Sequence, residues 1–126
     1  IKFDLEDRLV EFSCRIIEVV ESLPSTRAGN YIAAQLIRCG LAPALLYGEA
    51  QGAESRADFI HKMKICLKEL KETRVSLKVI SKAKMITPIE RLDNIKSENE
   101  QLISIVAKSI ETAKKNLNSE KNNPKE

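Results

Sequence analysis

Apolar residues recur at alternating steps of four and three through most of this 126-residue chain, in four runs separated by short polar breaks. That spacing keeps one stripe of a helix apolar, and four such stripes fold by packing against one another. The first run is Leu5, Leu9, Phe12, Ile16, Val19 and Leu23; the second is Ile32, Leu36, Cys39, Pro43, Leu46 and Ala50. The third is Phe59, Met63, Cys66, Leu70, Thr73, Leu77 and Ile80. The fourth is Leu92, Ile95, Asn99, Leu102, Val106, Ser109 and Ala113, with Ile103 and Ile110 beside it. No segment alternates with the period of two that a half-buried strand needs.

The breaks carry helix punctuation. Pro24 cannot continue a helix, and Ser25 or Thr26 can cap the next one. Gly52 interrupts the pattern, and Ser55 with Asp58 three residues on forms a capping box. In "ITPIE", Thr87 is the expected cap, Pro88 the first helical residue and Glu90 the closing partner of a second box. These signals place helices at about residues 3–23, 27–51, 56–85 and 88–117. Residues 118–126 have nothing to bury and are expected to form a disordered tail. The expected fold class is all-α: one domain, an antiparallel up-down-up-down four-helix bundle with short connections.

The second helix raises a question of its own. Between Tyr31 and Ala50 its only strongly polar residues are Gln35, Arg38 and Glu49. A helix apolar all round must be buried all round, whereas a four-helix bundle covers only part of each member. Pro43 has no amide hydrogen to give the Cys39 carbonyl, so a kink is expected there. Ala33, Ala34, Gly40, Ala42, Ala44 and Gly48 are small enough to admit another helix. On the third helix Ile65, Val75 and Val79 also fall outside the seam. Together these features predict a homo-oligomer, with the fourth helix wrapping the second as the alternative.

Catalytic machinery is hard to assemble from this composition. His61 is the only histidine, and with Asp58 it makes one acid-histidine pair where a bundle di-metal centre needs two. It lies opposite the third seam, away from any buried triad. No phosphate-binding glycine loop is present, and Glu49 is a lone acid beside an apolar run. Cys14, Cys39 and Cys66 are widely spaced, without a metal-binding pair. No enzyme, metal or cofactor is expected. The charged start "IKFDLEDRL" does not read as a signal peptide, and the uncharged run Cys39 to Gly48 is too short to span a membrane. The expected setting is cytoplasmic.

Charge is mild in sum, +3, but uneven along the chain. Residues 1–24 carry three basic and six acidic side chains, whereas residues 53–86 carry nine basic and four acidic. Lys64, Lys71 and Lys78 repeat every seven residues on one outward line, flanked by Lys68 and Lys82. Like charges four apart on a helix repel, so such a stripe suits an external polyanion such as a phosphate backbone. The competing explanation is an acidic first helix lying beside the basic third. No aromatic side chain interleaves with these lysines, so shape and phosphate are the expected readout, not stacked bases.

The segment from Gln35 to Ile80 resembles the 23S rRNA intervening-sequence proteins. The resemblance rests on Gln35, Leu36 and Arg38; Pro43 and Ala44; Tyr47, Glu49 and Ala50; Ser55, Asp58 and Phe59; and Leu67 and Glu69. It extends over about residues 3 to 86. It implies a left-handed four-helix bundle that assembles into a ring, typically a pentamer, in bacteria. A related branch, the accessory proteins of diversity-generating retroelements, binds a reverse transcriptase and nucleic acid. The implied partners are therefore other copies of the chain, structured RNA, or a nucleoprotein enzyme. Gln35, Arg38, Pro43, Tyr47 and Glu49 are implied to shape the bundle and its subunit contact. Leu46 stands where many relatives carry Asn, so a polar contact made there in relatives has no counterpart here.

Overall fold

The structure is a computed structural model that describes residues 4–122. It has four α-helices, α1 (Leu5–Ser22), α2 (Arg27–Gln51), α3 (Arg56–Lys82) and α4 (Asp93–Asn122), with a 3-10 helix (Ile89–Leu92) leading into the last. There is no strand among the described residues. Successive helices joined by tight turns pack side by side, which forces each to run antiparallel to the one before. α2 lies against α1 and α3, α4 lies against α3, and α1 meets α4 more sparsely to close the bundle. α1 and α3 occupy opposite corners and do not approach each other, and neither do α2 and α4.

The seams form the core. Leu9, Phe12, Ile16, Leu36, Met63, Leu70, Leu77, Leu102 and Val106 are all but inaccessible. Each such side chain removed from water contributes about 1.5–3 kcal/mol. Ile60 is buried as well, while Phe59 is only half-buried.

Thr26 caps α2 by accepting from the Gly29 amide, and Ser55 caps α3 by accepting from the Asp58 amide, each at 3.0 Å. Asp4 caps α1, accepting from the Asp7 amide. Pro43 sits buried inside an unbroken α2.

The turn between α3 and α4 departs from expectation. α3 ends at Lys82, short of residue 85, because Lys84 takes a left-handed conformation with φ 55°. The Met85 amide then donates to the Ile80 carbonyl at 3.0 Å and the Lys84 amide to Ser81 at 3.1 Å. This is a Schellman closure with lysine where glycine is usual.

The Thr87 box does not form. Pro88 is extended, with ψ 150°, and precedes the helix, and no side chain caps it. The 3-10 helix instead carries Leu92 into the core before α4 begins. α4 also continues through residues 118–122, so the expected tail is helical that far. Residues 123–126 lie outside the described residues.

Candidate nucleic-acid interface

At about 100° per residue, Lys64, Lys68, Lys71, Lys78 and Lys82 fall within one outward-facing sector of α3. All five are exposed. From Lys64 to Lys82 the stripe extends about 27 Å. Several other cations of the bundle are tied down. Arg8 pairs with Glu98, Arg56 with Glu120, Lys62 with Glu49 and Arg74 with Glu100. The stripe lysines take no ion pair among the described residues. Since α1 sits at the opposite corner, the acidic first helix does not neutralise them.

The same sector holds Val75 and Val79, 58% and 45% exposed. With Lys78, Lys82 and Ala83 they line an open groove of about 380 Å³. Two roles assigned separately on sequence grounds, phosphate contact for the lysines and subunit contact for the valines, thus fall on one surface. Ile65 lies outside this sector, half-buried, toward the α2 side.

The α2 motif residues divide. Arg38 donates to Glu69 at 3.0 Å and to Glu72 at 2.6 Å, bridging α2 to α3. These carboxylates, Glu72 foremost, raise its already high pKa. Gln35 accepts from Arg38 and donates to the Tyr31 hydroxyl. Glu49 pairs with Lys62 at 2.8 Å, which raises the lysine pKa. Pro43 lies in the core, where its carbonyl accepts from the Cys66 thiol. Tyr47 packs partly against the core, and burial pushes its hydroxyl pKa up. Most of these polar groups therefore hold α2 to α3, and Pro43 is not a surface residue.

The large hydrophobic residues of α2 that face outward are Tyr31 and Leu45, 66% and 67% exposed. Val10 and Ile17 of α1 are exposed too. They lie about half a turn round α1 from Arg8, which reaches across to α4, so they belong to the α2 flank. α4 does not wrap this face, which disposes of that alternative. Helical pattern alone did not single out Tyr31 or Leu45, because every position of an all-apolar helix looks alike.

Between α3 and α4, Asn99 is 1% exposed. Its Nδ2 donates to the Leu70 carbonyl at 3.3 Å, while its Oδ1 has no partner. Spacing puts Asn99 on the seam of α4 and gives no sign of its unmatched oxygen. His61 is exposed on α3. Among the described residues no cluster of His, Cys, Asp or Glu could hold a metal ion, and no helix is long and apolar enough to cross a membrane.

The molecule is thus an all-α, four-helix bundle with an unneutralised basic face and an open apolar face. Its sequence from residue 2 to 122 matches the model of the family described as 23S rRNA-intervening sequence protein, and the chain belongs to that family. It is also similar to a crystal structure of a protein of unknown function from the S23 ribosomal protein family of Bacteroides thetaiotaomicron. That likeness has a TM-score of 0.79 at 29% identity and covers 85% of this chain and 98% of the other. No curated protein matches the chain significantly.

Proposed function

We propose that this protein is a non-enzymatic, self-associating bundle that binds structured RNA through phosphate contacts from Lys64, Lys68, Lys71, Lys78 and Lys82. The observation that carries the reading is the placement of these lysines. They are exposed and free of carboxylate partners, on the helix diagonally opposite the acidic α1. An external polyanion supplies the missing counter-charge, and each contact releases counterions. The family's description, which refers to 23S rRNA, favours ribosomal RNA among polyanions. With no aromatic platform on this face, the readout is duplex shape and backbone. The outward face of α2 around Tyr31 and Leu45 is the proposed contact between copies, in a ring that the resemblance makes a pentamer. The free thiols Cys14, Cys39 and Cys66 suit a reducing cytoplasm.

Fluorescence anisotropy with a labelled 23S rRNA hairpin across a salt series tests this reading, beside a variant carrying Lys64→Glu, Lys71→Glu and Lys78→Glu. The reading expects micromolar or tighter binding that weakens steeply with salt and is lost in the variant. Equal behaviour of the two proteins, or no binding at low salt, sinks it. A second reading is favoured by Val75 and Val79, which place an apolar groove among the lysines. In it the chain is a scaffold that docks an enzyme encoded nearby, such as a reverse transcriptase, on the C-terminal half of α3. Substitution of Val75 and Val79 by Ser separates the two, weakening protein capture while sparing hairpin binding.

A further inference from the structure

α1 carries an acidic counterpart of the basic face on α3. Val10 and Ile17 are 48% and 41% exposed, and the exposed Glu6 and Glu21 fall in the same outward sector of the helix. Asp7 and Glu18 border that sector, while Arg8 and Arg15 of α1 lie about half a turn away. Glu6, Asp7, Glu18 and Glu21 take no ion pair among the described residues. Glu21 also stands in the last turn of α1, where the helix dipole disfavours an acid and no basic residue compensates it. On α3 the exposed Val75 and Val79 lie among Lys68, Lys71, Lys78 and Lys82, which lack carboxylates in turn. The two faces agree in length as well as in opposing sign. About 22 Å of helix separates Glu6 from Glu21, with Val10 and Ile17 between them, and about 21 Å separates Lys68 from Lys82, with the two valines between. Within one chain they cannot meet, because α1 and α3 occupy opposite corners.

We propose that α1 of a second copy docks on the α3 face, its Val10 and Ile17 against Val75 and Val79 and its carboxylates against the lysines. The contact joins two different faces, so it is head to tail and repeats from copy to copy. Exposed ion pairs are worth little singly and are screened by salt, and the four aliphatic side chains add only a small apolar area. The contact is therefore weak and salt-labile, unlike the apolar α2 contact around Leu45, which salt does not loosen. It uses the lysines assigned above to RNA. A second copy and a phosphate backbone thus compete for one face, with the carboxylates of α1 standing in for phosphates. Self-association masks the face until RNA displaces it. The docking stands without the RNA reading, whereas the competition rests on it.

Sedimentation velocity of the full chain, freed of nucleic acid, tests the docking. At about 0.01 M salt the sedimentation coefficient should rise with protein concentration, and at about 1 M it should not, since the Debye length falls from about 30 Å to about 3 Å. Charge reversal then identifies the two faces. One variant carries Lys71→Glu, Lys78→Glu and Lys82→Glu, and the other Glu6→Lys, Glu18→Lys and Glu21→Lys. Each alone should lose the low-salt increase, and mixing the two in equal amounts should restore it. These side chains are exposed and take no ion pair among the described residues, so the fold should survive, which circular dichroism checks. A mixture that sediments as the sum of its parts, or a wild type without the low-salt increase, overturns the docking. In a second arm, a 23S rRNA hairpin added to saturation at low salt should disperse the larger species of the wild type. Larger species that persist beside bound hairpin overturn the competition. Hairpin binding without restoration in the mixture overturns the docking and spares the RNA reading. Restoration without hairpin binding overturns the RNA reading and leaves the α3 face as a surface for self-association.

Discussion

Ile16 fills the space that a side chain on Gly40 would need. A Cβ placed on Gly40 would stand 2.6 Å from Ile16 Cγ2 and 2.9 Å from Cγ1. Both atoms sit at the branch of a fully buried side chain and cannot swing aside. The small residue at position 40 therefore serves the α1–α2 packing within one chain, and no partner helix reaches it. Gly48, by contrast, has open space where its Cβ would be.

The two glycines should answer in opposite directions to the same substitution. Gly40→Ala gains helix propensity but overpacks the core, for a net loss of about 1–2 kcal/mol. Gly48→Ala should gain about 0.5–1 kcal/mol. Urea unfolding of both variants checks the pair, and equal effects would contradict the packing described.

Self-association, if it uses the outward α2 face, should depend on Leu45. Leu45 is 67% exposed, so Leu45→Glu should leave helix content and thermal midpoint nearly unchanged. Sedimentation velocity should then show the wild type as an oligomer and the variant shifted to the monomer. A variant that keeps the wild-type mass would move the interface elsewhere, with Val75 and Val79 the next surface to test.

Lys84 holds a left-handed backbone that costs a non-glycine residue energy. Lys84→Gly should stabilise the protein by about 0.5–1 kcal/mol, read as a higher urea midpoint with an unchanged slope. Because Lys84 lies outside the stripe, its replacement should also leave the salt dependence of hairpin binding largely as it was.

The thiols should separate by burial. Cys14 is exposed, whereas Cys39 and Cys66 are buried. Burial raises the Cys39 pKa and pushes Cys66 up to about 12. A thiol reagent at pH 8 should modify Cys14 alone in the folded protein and all three in denaturant. The pH dependence has a definite sign. Between the ordinary thiol pKa near 8.5 and about 12, the unfolded chain releases a proton that folded Cys66 keeps, so stability falls as pH rises. One such group contributes roughly 1.4 kcal/mol per pH unit. Cys66→Ala should remove that part of the slope.

Helix number, the core seams and the first two turns were legible in the sequence. A 4-3 spacing has one physical solution at these lengths, and Thr26 and Ser55 cap through hydrogen bonds that need only local geometry. The Thr87 box failed for a different reason. Bringing Leu92 into the core decided how the chain enters α4, and local pattern carries no record of that demand. The end of α3 is hidden from local pattern likewise, since nothing about lysine announces a left-handed turn.

For function, the sequence by itself determined that a basic stripe exists, because a seven-residue repeat must return to one side of a helix. Only the tertiary structure decided whether the stripe was neutralised. The same helices could have set α1 beside α3, and the order in which they pack set them at opposite corners. The same packing left Asn99 Oδ1 without a donor. Helical periodicity orders residues within one element. Which charges and polar atoms meet across elements depends on packing, and there the candidate site takes its form.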